Sequence, residues 1–126
     1  KAEGIIPTLI AGTPTGRITD ITLRDITVEH AGGEKAMTKS LPENLKGYPE
    51  NRMYGKENPA GGLYIRHADN ILIENFQRNT DERPSIFLDD ATDIHIEKLQ
   101  STGSIAKKMI EHSKCSNITI DGRVVK

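Results

Sequence analysis

The chain has 126 residues, a formal net charge of −1, one cysteine and no tryptophan. That length fits one domain or a piece of one, and the balanced charge leaves no electrostatic footprint for nucleic acid or an anionic membrane surface. No apolar run is long enough to span a bilayer, a single cysteine excludes an intrachain disulfide framework and a multi-cysteine zinc site, and with 4% aromatic residues any core is aliphatic.

From the N-terminus, the first patterned stretch is Asp20-Ile21-x-Leu23-x-x-Ile26. It returns as Asn70-Ile71-x-Ile73-x-x-Phe76, Asp93-Ile94-x-Ile96-x-x-Leu99 and Asn117-Ile118-x-Ile120. Ile71 and Ile94 are 23 residues apart, Ile94 and Ile118 are 24 apart. A period in this range, with an alternating apolar pair in each repeat, is the mark of a solenoid built from strands. The Asn or Asp ahead of each pair suits a corner, because these residues tolerate left-handed backbone and bond their own chain. The spacing therefore predicts an all-β protein, a parallel β-helix of about four coils.

Between the first and second repeats the pattern breaks. Ile21 and Ile71 are 50 residues apart, yet 29–62 carries no coil pattern and is rich in Gly, Pro, Asn, Lys and Glu. We read it as a long inserted loop leaving one corner; loops of this length in a compact domain are functional or disordered. Leu41, Leu45, Tyr48, Met53 and Tyr54 are scattered through it, which favours docking on the outer face, with Tyr64 and Phe87 as the landing site.

Each repeat also has an upstream strand. Leu63 and Ile65, Ile86 and Leu88, and Ile110 and His112 precede their Ile pairs by 8 and 6 residues. For Ile21 the same offsets fall on Thr13 and Thr15, a poor fit. Alternation turns the aliphatic members inward and Tyr64, Phe87 and Glu111 outward. Arg66, Asp89 and Ser113 then share one position, and His67, Asp90 and Lys114 the next. With strands about 4.8 Å apart, Arg66 lies beside Asp89, and Asp90 is flanked by His67 and Lys114. This is a charge ladder, expected to be exposed and to set register more than stability. Ala68, Ala91 and Cys115 follow as a column of small residues, making Cys115 a packing residue. His95 points outward and is solvated. Asn117-Ile118-Thr119 matches a glycosylation acceptor, but its residue types already follow from the corner and strand. Asp89, Asp93 and Glu97 lack the glycine turn of a calcium loop.

The string from Pro42 to Asp90 is more specific. Pro42, Tyr48-Pro49-Glu50, Met53-Tyr54-Gly55, Pro59-Ala60, Gly62-Leu63-Tyr64-Ile65-Arg66-His67, Asp81-x-Arg83-Pro84 and Leu88-Asp89-Asp90 occur in order. It resembles the C-terminal coils of glycoside hydrolase family 28, the polygalacturonase family, especially its bacterial pectin-degrading members. The likeness runs from about Ile18 to Ile120. It implies a right-handed parallel β-helix, an inverting hydrolysis of galacturonate-containing polysaccharide, and an extracellular or periplasmic location. It also implies that residues 1–126 are the C-terminal part of a longer β-helix, with earlier coils before Lys1. Partners would be pectic polysaccharide or oligosaccharide and those upstream coils, with no nucleic acid and no membrane.

The catalytic motifs of that family do not map onto this chain. Inversion needs two carboxyl groups about 6.5–9.5 Å apart, supplied in the family by Asn-Thr-Asp and Asp-Asp motifs about one coil apart. Here Asn79-Thr80-Asp81 and Asp89-Asp90 place Asp81 and Asp89 only 8 residues apart, and neither Gly-His-Gly nor Arg-Ile-Lys occurs. No catalytic residue, metal ligand or cofactor is therefore assigned, and the catalytic aspartates are expected upstream. The residues suited to an anionic sugar are Arg52, Lys56, Arg66 and His67, with Tyr54 to stack on a ring. The competing reading is a non-catalytic β-helix module that binds polysaccharide or a partner protein.

Overall fold

The computed structural model describes residues 2–4, 8–30, 41–48, 59–78, 83–101 and 109–125. They form strands β1 (Ala2–Gly4), β2 (Thr8–Ala11), β3 (Ile18–His30), β4 (Leu63–Arg78), β5 (Ile86–Ser101), β6 (Ile110–Ser113), β7 (Ser116–Ile120) and β8 (Arg123–Val124). No helix occurs among the described residues. The sheet runs β1-β3-β4-β5-β7-β8, with β2 also on β4 and β6 also on β5. Every pairing of named strands is parallel except β7 with β8.

The register is the one the spacing predicts. Ile21, Ile71, Ile94 and Ile118 align across β3, β4, β5 and β7, as do Leu23, Ile73, Ile96 and Ile120. Leu63, Ile86 and Ile110 align in the upstream halves. These side chains meet in one core with Ala68, Ala91 and Phe76, and the Ile and Leu members from β4 and β5 are fully enclosed. Each such side chain contributes roughly 1.5–3 kcal/mol relative to exposure.

Strands this long must bend, and the bends are residues with left-handed backbone. In β4 they are His67, Asn70 and Asn75; in β5 they are Asp90, Asp93 and Lys98. Asp20, Asn70, Asp93 and Asn117, the residues ahead of the Ile pairs, all have φ between 53° and 61°. The cost of that conformation is lowest for Asn and Asp, and hydrogen bonds between stacked corners offset it. Asn70 Nδ2 donates to Asp20 Oδ1 at 2.6 Å, Asn117 Nδ2 to Asp93 Oδ1 at 2.5 Å, and Asn75 Nδ2 to Asp25 Oδ1 at 2.8 Å. Asn117 is thus bound into a corner stack. The corner columns through His67, Asp90 and Lys114, and through Asp25, Asn75 and Lys98, were not expected from the sequence. They place the turn one residue before the small column of Ala68 and Ala91, which packs inward. Cys115 is half-buried against the same core; burial pushes its thiol up, and it donates to Ser113 O at 3.1 Å.

Three expectations need correction. The upstream strand of the first repeat is Thr8–Ala11, paired with Leu63–Arg66, and not the stretch around Thr13 and Thr15. Ala11 pairs with Arg66 and Ile18 with Ala68, so the six residues 12–17 stand where His67 stands alone. This extra turn is closed by Thr13 and Gly16. It starts at Gly12, where a Cβ would lie 2.7 Å from both Gly16 O and His67 O, so only glycine admits the close approach. The inserted segment begins after residue 30, because Glu29 and His30 still pair with Glu3 and Gly4. His95 is half-buried, its Nδ1 2.7 Å from Thr119 Oγ1 on the next strand.

The connection from β4 to β5 is closed by a buried arginine. Arg78 donates through Nε to Ser85 Oγ at 2.8 Å and through Nη2 to Arg83 O at 2.5 Å. Gly61 N donates to Pro84 O at 2.7 Å and Leu63 N to Ser85 O at 2.8 Å, which lays the start of β4 against the start of β5.

Candidate functional site

The outward face of the upstream strands carries polar chemistry on an aromatic base. Tyr64 and Phe87 are paired in register and their rings stack, with centroids 5.7 Å apart and planes 16° from parallel. Leu41 covers them together with Ala60 and Leu9. The inserted segment therefore docks where the sequence predicts, through Leu41. Leu45 and Tyr48 instead face solvent, at 60% and 39% exposure. Met53 and Tyr54 lie outside the described residues.

Two positions further along β4, Arg66 faces Asp89 as register requires, with Nε 3.3 Å from Oδ2. This pair is not the exposed rung expected, since the two side chains are 7% and 3% exposed. The segment 41–48 accounts for the difference. Pro42 O accepts from Arg66 Nη1 at 3.4 Å, and Glu43 Oε1 lies 3.2 Å from Arg66 Nη2. Tyr64 Oη donates to Asp89 Oδ2 at 3.1 Å. Burial, reinforced by the Asp89 charge, pushes the Tyr64 phenol up, which keeps it a donor.

The corner beside this pair is a chain of charges. His67 Nδ1 is 2.6 Å from Asp90 Oδ2, and His67 Nε2 is 2.5 Å from Glu43 Oε1. Asp90 Oδ2 also accepts from Arg17 Nη1 at 2.7 Å, and Asp90 O from Arg17 Nη2 at 2.9 Å. Arg17 grips Asp69 with two prongs, Nε to Oδ2 at 2.6 Å and Nη2 to Oδ1 at 2.7 Å. The Arg17 hydrogen bond holds the Asp69 carboxyl below its ordinary range. For Asp90 the His67 hydrogen bond leads and Arg17 adds to it, again lowering the carboxyl. The guanidinium of Arg17 is pushed up in return, chiefly by its hydrogen bond to Asp69.

Of the residues expected to meet a sugar, the structure brings Arg66 and His67 together at this corner. Arg52, Tyr54 and Lys56 lie outside the described residues. Both Arg66 and His67 are turned into the protein, each 6% exposed, and both hold Glu43. Two members of the site escape sequence reasoning. Arg17 sits in the extra turn, which has no counterpart in later repeats, and it takes the place beside Asp90 expected for Lys114, which is exposed. Glu43 lies in the patternless insertion. Its only signal is adjacency to Pro42, which belongs to the family-like string.

Chemically, Asp89 and Asp90 diverge: one is locked by Arg66 and Tyr64, the other by His67 and Arg17. Protonating a leaving glycosidic oxygen needs a carboxyl raised towards neutrality, and Asp90 is shifted the opposite way. Among the described residues, no set of three His, Cys, Asp or Glu side chains is placed to hold a metal ion. No helix among them is long and apolar enough to cross a membrane. No protein-family model, curated protein or solved structure matches this chain.

Proposed function

We propose that this chain forms coils of a right-handed parallel β-helix belonging to a polygalacturonase-like, pectin-degrading glycoside hydrolase, with the catalytic aspartates in coils that precede it. The observation that carries this reading is where the family-like string falls. Pro42, Pro59-Ala60, Tyr64, Arg66, His67, Arg83-Pro84 and Asp89-Asp90 are scattered over 49 positions, 42 to 90. They converge on one packed unit: the docked segment, the aromatic pair and the charged corner. A resemblance confined to residues that cooperate structurally is what a shared scaffold produces. The aligned Ile columns at steps of 23 and 24 residues and the stacked left-handed corners support coils over a flat sheet.

In this reading the charged corner anchors the inserted segment, and Arg52, Tyr54 and Lys56 are its substrate-facing members. Guanidinium and ammonium groups bind uronate carboxylates through charge-assisted hydrogen bonds, and the tyrosine ring supplies an apolar face for a sugar. Arg66 and His67 act from beneath, by holding Glu43. The protein is extracellular or periplasmic, its substrate a pectic polysaccharide or oligosaccharide, and its neighbours the preceding coils. The test is hydrolysis of polygalacturonate by the polypeptide carrying its upstream region, with the anomeric form of the product followed by NMR. Inverting hydrolysis by the longer polypeptide, and none by residues 1–126 alone, is expected. Turnover by residues 1–126 alone would overturn the placement of the catalytic groups. A longer polypeptide that binds pectic oligosaccharide without cleaving it would favour the non-catalytic module.

A further inference from the structure

Two unlike contacts hold the segment 41–48 on the sheet. Leu41 is seated on the Tyr64 and Phe87 rings, and two residues later Glu43 reaches the polar corner, Oε1 2.5 Å from His67 Nε2. The other ring nitrogen of His67 is 2.6 Å from Asp90 Oδ2. Proton counting constrains this arrangement. A neutral imidazole has one N–H, and an ionised carboxylate only accepts. Asp90 is held ionised by His67 and Arg17, so the Nδ1 contact takes one proton. The Nε2 to Oε1 contact takes a second, resting on the ring or on Glu43. Without that second proton, two lone pairs face each other across 2.5 Å.

The charged groups around the ring come from every neighbouring element. Asp90 reaches it from the β5 corner, and Arg17, itself held by Asp69, approaches from the turn before β3. Arg66 sits beside it on β4 facing Asp89 and also holds Glu43. Lys114 occupies the next corner of the column. Only the His67–Glu43 contact depends on a proton that can leave within the imidazole range.

We propose that His67 and Glu43 form a proton-operated latch, which closes the strap 41–48 over Tyr64 and Phe87 and opens it when the shared proton is lost. Opening uncovers the apolar surface that Leu41 seals and frees Arg66 from Pro42. The latch works in one direction: it closes as pH falls into the imidazole range and opens as pH rises through it.

Amide hydrogen exchange over 41–48 in the full chain, corrected for intrinsic rates, tests this between about pH 5 and about pH 9, a span that brackets ordinary imidazole titration. The Leu41 methyl shifts, displaced by the ring currents of Tyr64 and Phe87 when the strap is closed, give a second readout. The expected result is a loss of protection of about tenfold or more in 41–48 on the alkaline side, the scale of one charge-assisted hydrogen bond, while β4 amides stay protected. The methyl shifts should move to random-coil positions in step. Glu43→Gln supplies an amide donor in place of the shared proton, so its strap stays closed throughout. His67→Asn keeps a residue suited to the corner φ of 52° and removes the titrating ring, so its strap gives equal protection at both ends. If His67→Asn fails to fold, Glu43→Gln decides alone. A wild-type strap with pH-invariant protection and methyl shifts, or alkaline opening that persists in either variant, would overturn the proposal.

Discussion

Arg17 and Asp69, 52 positions apart in sequence, form a two-pronged ion pair, with Nε on one carboxylate oxygen at 2.6 Å and Nη2 on the other at 2.7 Å. The remaining prong of Arg17 lies on Asp90 at 2.7 Å. One guanidinium thus staples the extra turn of residues 12–17 to two successive strands. Arg17→Ala should destabilise the fold by about 1–2 kcal/mol, above the usual value for a surface pair because the contact is bidentate and shared. Arg17→Lys, a point charge without the fork, should recover less than half of that. Urea unfolding midpoints would measure both, and an Arg17→Ala midpoint equal to wild type would refute the staple.

The same carboxylates set the acid limit of stability. Asp69 and Asp90 have folded-state pKa values depressed below the ordinary one. Their contribution is therefore fully present above the unfolded carboxylate pKa, about 3.9, and is lost as pH falls through the lower folded-state values. Stability should fall between about pH 4 and about pH 2. Arg17→Ala should flatten that fall, because it removes the leading cause of the Asp69 shift and the second favourable partner of Asp90. An unchanged acid slope in Arg17→Ala would contradict this assignment.

Burial separates two ion pairs that look alike in sequence. Arg66 and Asp89 are 7% and 3% exposed, whereas Arg24 and Glu74, also paired across neighbouring strands, are 65% and 33% exposed. Asp89→Ala should cost about 3–5 kcal/mol, because it strands a buried guanidinium and leaves the Tyr64 hydroxyl without its acceptor. Glu74→Ala should cost under about 1 kcal/mol. Thermal or urea unfolding of the two variants checks the ratio, and equal losses would show that the strap does not desolvate the Arg66 pair.

Corner residues give a third contrast. Asn70 has a φ of 55° and donates to Asp20 at 2.6 Å. Asn70→Ala should lose about 1–2 kcal/mol, from left-handed strain and from the missing hydrogen bond together. Asn70→Gly should recover the strain part alone. A glycine variant no more stable than the alanine variant would remove backbone strain from the explanation.

What the sequence made legible was whatever repeats. The Ile columns, the Arg66–Asp89 pairing and the docking of the insertion on Tyr64 and Phe87 all follow from a fixed step and a two-residue alternation. The corner ahead of each Ile pair was legible because Asp20, Asn70, Asp93 and Asn117 are residue types with a known turn chemistry. The corners at His67, Lys98 and Lys114 were not, since these types carry no such preference and are held by their place in the column. The burial of Arg66 was hidden because its cover, Pro42 and Glu43, comes from a segment with no period. Arg17 was hidden for a related reason: it belongs to an extra turn that no later repeat contains, so alignment of repeats passes over it.

The account stands on the claim that these residues are scaffold for catalysis carried elsewhere in a pectin-degrading enzyme. The direct measurement is kcat for polygalacturonate hydrolysis by the polypeptide with its upstream region, wild type against Asp90→Asn, with folding verified by circular dichroism. Hydrolysis by the wild type, and a variant kcat within about tenfold of it, is predicted, since a lost structural hydrogen bond is worth about that factor or less. A well-folded variant slowed by about a thousandfold or more, the scale on which catalytic groups act, would make Asp90 part of the reaction and contradict the account.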